Sequence, residues 1–428
     1  MSQPIVKKFL GTAGVQIFAS SLSMLMGIVL ARLLGPEEFG RYSFILSLIA
    51  IAVIPTIAGM PQLIIREVAN AQLDKRWGEL KGILRWAIGY IVSISIVVIL
   101  GLICAIELKW ITSDIGNLLW VGLLLVPIRG LLSRQNALLN GLRHPVLAQL
   151  PQSVLISILA LSIVGFLYLS GKRLDAYILL QVQVISGLIS LVISIYFIFL
   201  KTPKEVLCSS AEYKVKQWHK TLLPFSLLTI IGTMNNELAS IFLGFYGMES
   251  SIAYFKVAMQ GVAILALGQT AVNAISAPNI ARQYKAGDMN GVQNTISQSV
   301  QLSALFSIPI CLVLIFFGER IIDVLFGSDY SQASGLLTIL CLGYIVNVLS
   351  GSVGLILQMT GNEKRSLLAL IFSFILGLVL LIILIPKYQE YGAAISVSIS
   401  MIVWNVIMAI QVYKITNLRP WLTVKIYR

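Results

Sequence analysis

Phe374–Ile–Leu–Gly–Leu–Val–Leu–Leu–Ile–Ile–Leu–Ile385 runs through twelve residues without one polar side chain. A strand of a membrane barrel alternates apolar and polar residues over about 10 positions. This stretch does not alternate, and neither does Ile96 to Ile106, so both read as helix. A helix crosses the hydrocarbon of a bilayer with about 20 mostly apolar residues. Working outward from 374–385, the chain offers twelve such spans, near 9–34, 42–65, 84–106, 117–140, 146–169, 176–200, 222–245, 252–280, 294–317, 334–358, 366–385 and 392–413. The expected fold is an all-α membrane protein with about 12 transmembrane helices. The first span is too long for a cleavable signal peptide and lacks a small-residue cleavage site.

Composition agrees. Of 428 residues, 57% are hydrophobic and 11% charged, with mean hydropathy +0.90. An ordinary soluble domain carries roughly 25% charged residues, which excludes a soluble enzyme, a nucleic-acid-binding domain and a disordered tail. The net charge of +13 is explained by topology. With the N-terminus inside, twenty-two of the 31 lysines and arginines fall on the cytoplasmic side, Lys7, Lys8, Lys425 and Arg428 among them. Six fall outside, Lys109 among them, beside acids such as Asp114. That asymmetry places both termini in the cytoplasm of a multi-pass cell-membrane protein and leaves no nucleic acid to account for. Cys104, Cys208, Cys311 and Cys341 form neither a disulfide framework nor a metal set, and His144 and His219 are too few and too far apart for zinc. The sequence has no Gly-rich phosphate loop with Lys–Ser/Thr and no nucleophile placed with a histidine base. No cofactor, metal or catalytic residue is expected.

The longest basic loop, Lys201 to Lys220, divides the chain into an N-terminal lobe (1–200), an inter-lobe loop (201–220) and a C-terminal lobe (221–428), each lobe with six spans. Features recur across it. Leu30 to Tyr42 closes the first span as Phe242 to Tyr254 closes the seventh; Pro61 with Arg66 is echoed by Pro278 with Arg282; Gly141–Leu–Arg–His is echoed by Gly361–Asn–Glu–Lys–Arg. An even number of spans per lobe means both lobes enter from the same side. They are therefore expected to form a parallel repeat about a pseudo-twofold axis along the membrane normal.

The run Ala31–Arg–Leu–Leu–Gly–Pro–Glu–Glu–Phe–Gly40, the segment Leu325–Phe–Gly–Ser–Asp–Tyr–Ser–Gln–Ala–Ser334 and Tyr391–Gly–Ala–Ala394 resemble the polysaccharide (O-antigen type) flippase family of the multidrug, oligosaccharidyl-lipid and polysaccharide exporter superfamily. The resemblance implies a two-lobed transporter that moves a polyprenyl-pyrophosphate-linked oligosaccharide across the cytoplasmic membrane by alternating access, for cell-surface polysaccharide biosynthesis. Its partners would be that lipid-linked substrate, membrane lipid and glycan-assembly proteins. A multidrug or organic-cation exporter of the same superfamily is the alternative. A glycan polymerase or ligase is disfavoured because the longest outside loop, Gly318 to Gly335, is short.

Polar groups at membrane depth usually face a cavity or a partner, and side chains at i, i+3, i+4 and i+7 share a helical face. Span four carries Arg129, Ser133, Asn136 and Asn140; span seven carries Thr229, Thr233, Asn236 and Ser240, with Glu237 at the stripe's edge. Span eight offers Lys256 and Gln260, span one Thr12, Gln16, Ser20 and Ser23, and span ten Asn347, Gly351, Gly354 and Gln358. Close packing explains the stripes of spans one and ten equally well, and Lys256 suits an interface as well as a cavity. Arg134 is expected to snorkel to the cytoplasmic surface. Arg32 lies opposite the polar stripe of span one and can pair with Glu37 or Glu38; only the resemblance favours a cavity role. Arg129 and Glu237 sit deepest. The expected substrate-binding set is Arg129, Ser133, Asn136, Asn236, Lys256, Gln260 and Arg32, with Arg129 gripping phosphate oxygens and amides meeting sugar hydroxyls. Glu237 is the candidate for ion coupling. Pro55, Pro61, Pro127, Pro224 and Pro309 read as kinks available to two conformations.

Overall fold

The computed structural model describes the backbone of residues 3–108 and 113–422, and side chains from residue 14 onward except 113–114, 207, 223–224 and 228. The side chains of Lys7, Lys8, Thr12, Lys109, Asp114, Pro224, Lys425 and Arg428 lie outside that description. Among the described residues ten helices are long and apolar enough to cross a membrane.

Two of the ten are far longer than a bilayer needs and double back. Glu363–Thr416 has 54 residues, which would extend about 80 Å at 1.5 Å per residue. Inside it Gln389 adopts φ 50°, ψ −127°, three residues after Pro386. Beyond that point the chain returns on itself: Ser373 Oγ donates to the Ser400 carbonyl at 2.6 Å, and Ser366 Oγ meets Met408 Sδ at 3.8 Å. The helix Gln3–Ile57 is broken at Gly35, with φ 75° and ψ 174°. Gln16 and Ser20 before the break, and Val53 and Ile57 after it, all border cavities that share Gln152. A straight helix would separate Ser20 from Val53 by about 50 Å.

Gly35 occupies a backbone region essentially reserved for glycine, and Pro36 then supplies a fixed φ to open the next helix. A Cβ at Gly35 would meet nothing within 4 Å, so Gly35→Ala isolates the backbone term. It is expected to cost about 1–3 kcal/mol, read as a lowered melting temperature in detergent; an unchanged melting point would contradict this account of the break.

By contacts the chain divides into two compact units, the first comprising residues 1–34 and 41–237, the second 35–40 and 238–428. In the first unit, the helix Trp77–Glu107 buries Leu80, Ile83, Ala87, Ile91 and Ser95 along one face and exposes Ile88, Val92, Ile96 and Leu100 along another. Both faces are apolar, so the exposed one suits lipid rather than water. The core gathers Leu63, Ile64, Val68, Leu80, Ile83, Leu138 and Trp218. Helix Ala176–Lys201 buries Ser186, Ser190 and Ser194, spaced by four, and its Gly187 lies close against Ile128. Small residues on this face allow close approach of the helix Leu125–Gly141.

The first unit also holds the segment after Lys201. Short helix Lys204–Cys208 and the residues following it lie on the start of Trp77–Glu107. The Glu212 N–H donates to the Gly78 carbonyl at 3.0 Å, and Lys81 Nζ donates to the Ser209 carbonyl at 2.7 Å. A Cβ at Gly82 would stand 1.7 Å from the Glu212 carbonyl oxygen, so only glycine permits this contact. Glu79 accepts hydrogen bonds from Arg76 at 2.6 Å and from Lys214. Burial acts to raise the Glu79 carboxyl, but the hydrogen bonds from Lys214 and Arg76 outweigh it and hold it below the usual carboxylate range. Stabilisation from these pairs is therefore complete above the unfolded value of about 4.3 and is lost as pH falls through the lower folded value. Hydrogen exchange at the Glu212 amide should quicken in that acidic window, after correction for intrinsic rates, and should be quick already at neutral pH in Glu79→Gln. Equal protection in both proteins at pH 7 would refute this.

In the second unit, Ile280, Val292, Ile296, Val300, Ile356, Leu357, Met408 and Val412 form a core. The quoted run exposes Ile375, Val379, Ile382 and Ile383 and buries Leu381 and Ile385. Helices Ala333–Ser350 and Val353–Met359 are separated by Gly351 and Ser352. Tyr344 and Asn347 both donate to Gln269 Oε1 at 3.0 Å, and Ser352 donates to Asn273. Asn347, at the head of the span-ten stripe, is thus a helix–helix tie.

The prolines take different roles. Pro61 starts the helix Met60–Leu73 after a break at Gly59, Pro127 follows the break between Ser113–Gly122 and Leu125–Gly141, and Pro309 lies within the unbroken helix Met289–Leu325.

Candidate functional site

Arg129 lines a cavity of about 370 Å³ in the first unit. Arg129 and Ser133 are four residues apart on Leu125–Gly141 and so share a face. Val53 and Ile57 come from the second helical segment, Gln152 from the run around Pro151, Gln183 from Ala176–Lys201 and Thr233 from Val215–Phe245. Among the described residues no other charged one is in the wall. Gly130 helps set the helix's position, since a Cβ there would meet Thr56 Oγ1 at 3.0 Å and Ile91 at 2.9 Å.

Two groups modulate the guanidinium from beyond the wall. Glu237 acts on it electrostatically, and the neutral Tyr42 phenol lies near it. Each is held in place: Gln183 donates to the Tyr42 hydroxyl at 2.9 Å, and Ser47 Oγ donates to Glu237 Oε2 at 2.6 Å. A fixed cation with an anchored carboxylate in range is an arrangement that can take up an anion and lose it again.

A second cavity of about 480 Å³ adjoins the first through the shared Gln152. Gln16, Ser20 and Ser23 of the first helix meet Asn136 of Leu125–Gly141 and Gln149 across it. The span-one stripe is therefore a cavity wall along its described part. Between these groups Leu150–Leu155 winds as a π-helix containing Pro151. Proline lacks the N–H of a regular turn, and π-turns inside helices concentrate at functional sites.

The expected residues divide. Arg129 and Ser133 share the first cavity; Asn136 lines the second. Asn236 is exposed and borders neither, and Arg32 is exposed as well. Lys256 and Gln260 belong to the second unit, where both are half-buried and Gln260 Oε1 is buried without a hydrogen-bond partner among the described residues. The snorkelling expected of Arg134 is overturned. It is 7% exposed, donates through an Nη to the Leu84 carbonyl at 3.1 Å and leaves its Nε without a partner. The helix Trp77–Glu107 covers the end of span four at this point, so the side chain cannot reach water. Gln149, Gln152 and Gln183 were missed in the sequence reading. Gln149, Gln152, Ser153 and Ser157 do follow helical spacing, a signal that could have found them.

The family described as polysaccharide biosynthesis protein matches residues 29–335. The chain belongs to that family. It is a multi-pass protein of the cell membrane. A Haloferax volcanii protein named "Probable low-salt glycan biosynthesis flippase" is 25% identical over 194 residues, covering 44% of this chain and 41% of the relative, so the match spans less than half of that relative's length. The Shigella flexneri protein named "Putative O-antigen transporter" is 23% identical over 390 residues, covering 87% and 89%. Among solved structures, an inward-facing multidrug resistance MATE family transporter of the MOP superfamily superposes with TM-score 0.79 at 15% identity, covering 93% of this chain and 94% of that one. The lipid II flippase MurJ superposes with TM-score 0.76 at 17% identity, covering 94% and 87%. These likenesses show a MATE- and MurJ-like fold.

Proposed function

We propose that this protein flips a polyprenyl-diphosphate-linked oligosaccharide across the cell membrane by alternating access, supplying cell-surface polysaccharide assembly. Arg129 carries the reading. It is a permanent cation in a membrane cavity whose other described wall residues are uncharged. Glu237, anchored beyond the wall, offsets it only from a distance, and burying a cation is costly unless a counter-ion pairs with it directly. A diphosphate supplies that counter-ion, and the planar guanidinium fork suits its oxygens. The prenyl tail stays in lipid. With a negative cell interior, each negative charge moved outward gains about 2.3 kcal/mol per 100 mV. Glu237 is the coupling group, taking up a proton or cation while the diphosphate occupies Arg129 and giving it up, to face Arg129 as a carboxylate again, as the diphosphate leaves. The family, and relatives named for glycan flipping and O-antigen transport, support the substrate class.

The same reading has twelve passes in two six-helix lobes with both termini cytoplasmic. The chain reversals at Gly35 and Gln389 support the count, since each divides one long apolar helix in two. The charge bias supports the orientation. The protein acts as a transporter rather than an enzyme, beside the glycan-assembly proteins that make and use its substrate. Organic-cation export would want acidic cavity walls, and the Arg129 cavity has no acid among its described wall residues.

Deletion of the gene should abolish the surface glycan, and re-expression should restore it. Susceptibility to cationic drugs should not change. Altered drug susceptibility with normal surface glycan would reverse the choice.

A further inference from the structure

The cavity next to Arg129 has a chemistry that a diphosphate does not explain. Among the described residues its wall is built of amides and hydroxyls, with Ala19 as the one apolar side chain and no charged or aromatic residue. Asn136 is committed to the protein: its Nδ2 donates to the Ala148 carbonyl at 2.9 Å and its Oδ1 accepts from Asn140 at 2.8 Å. Gln149 is not. Its Oε1 is buried and accepts no hydrogen bond from the described residues. A buried acceptor left without a donor costs about 1–3 kcal/mol, and a turn of the Gln149 side chain into the cavity that it lines would let a ligand hydroxyl or amide recover it. Neutral donors and acceptors at this density suit a sugar. A ligand carboxylate would find no cation among the described wall residues and would be buried against neutral groups alone.

We propose that this cavity is the subsite for the sugar attached to the diphosphate, that it selects an uncharged hexose or N-acetylhexosamine over a uronic acid, and that Gln149 is a specificity-determining residue. The proposal rests on the reading that Arg129 holds the diphosphate, because the shared Gln152 puts the two cavities side by side. The diphosphate and its first sugar are likewise adjacent in the ligand.

Binding of three probes to the full-length protein in nanodiscs tests this: polyprenyl diphosphate, its N-acetylglucosaminyl derivative and its glucuronyl derivative. Wild type should bind the N-acetylglucosaminyl lipid about ten-fold more tightly than the bare lipid, the equivalent of one or two recovered hydrogen bonds, and the glucuronyl lipid no more tightly than the bare one. Gln149→Leu should erase that preference and leave affinity for the bare lipid unchanged. Ser20→Val, on a different helix, should weaken the preference independently. Equal affinity of wild type for bare and N-acetylglucosaminyl lipids, a glucuronyl preference, or a preference intact in both variants would overturn the subsite while sparing the diphosphate site. Failure of wild type to bind any of the three would overturn the transport reading and the subsite with it.

Discussion

Arg129→Ala should eliminate most glycan export while the protein still inserts at normal levels. Charge-assisted hydrogen bonds contribute about 1.5–3 kcal/mol each. Losing the guanidinium should therefore weaken diphosphate binding roughly 10- to 150-fold. The variant also leaves the anchored Glu237 carboxylate without its neighbouring cation, so the emptied cavity repels the substrate it formerly attracted. Arg129→Lys restores the charge without the planar fork and should recover part of the activity. Surface glycan measured by blotting, normalised to membrane-inserted protein, reads the effect. Wild-type glycan from Arg129→Ala would remove the site.

Glu237→Gln should separate binding from turnover. In the empty protein the carboxylate partly neutralises Arg129, and an entering diphosphate must compete with it. Gln removes the competing charge and keeps a hydrogen-bonding partner for Ser47. Binding should then tighten by about ten-fold, the effect of one unit charge at roughly 10 Å and an effective dielectric near 20. Transport should fall by a similar factor, because nothing helps the diphosphate leave. The readout is a lowered KM with a lowered maximal rate. Both values unchanged would assign Glu237 a structural role only.

Much of this architecture was readable beforehand, for reasons visible in single residues. The run 374–385 has no polar group, so any helix there must sit in lipid or core, and its alternation of exposed Ile375, Val379 and Ile382 with buried Leu381 and Ile385 follows from helical geometry. Gly35–Pro36 advertised a break through the backbone preferences of both residues. The reversal near Gln389 was marked by Pro386 and the polar residues up to Glu390, which separate the spans 366–385 and 392–413, although glutamine itself carries no mark of a positive φ.

Site residues were legible where one helix decides them. Arg129 and Ser133 share a face at i, i+4, and the structure keeps them together. Asn236 and Thr233 share a face by the same arithmetic, yet Thr233 lines the cavity and Asn236 is exposed. Which part of a stripe meets a cavity depends on neighbouring helices that periodicity does not see. Gln152 belongs to a stripe with Gln149, Ser153 and Ser157, whereas Gln183, on a largely apolar helix, gains meaning only once that helix converges on Arg129. Arg134 was misread for a related reason: nearness to a span's end suggests water, but Leu84 of another helix stands there instead.

The central claim is that a diphosphate-linked glycan crosses the bilayer through the Arg129 cavity. Purified protein reconstituted in liposomes, with a fluorescent polyprenyl-diphosphate oligosaccharide in one leaflet, tests it directly. Wild type should move the lipid to the other leaflet far faster than protein-free liposomes do, with Arg129→Ala near the protein-free rate. Movement no faster than in protein-free liposomes, or equal movement by wild type and Arg129→Ala, would contradict it.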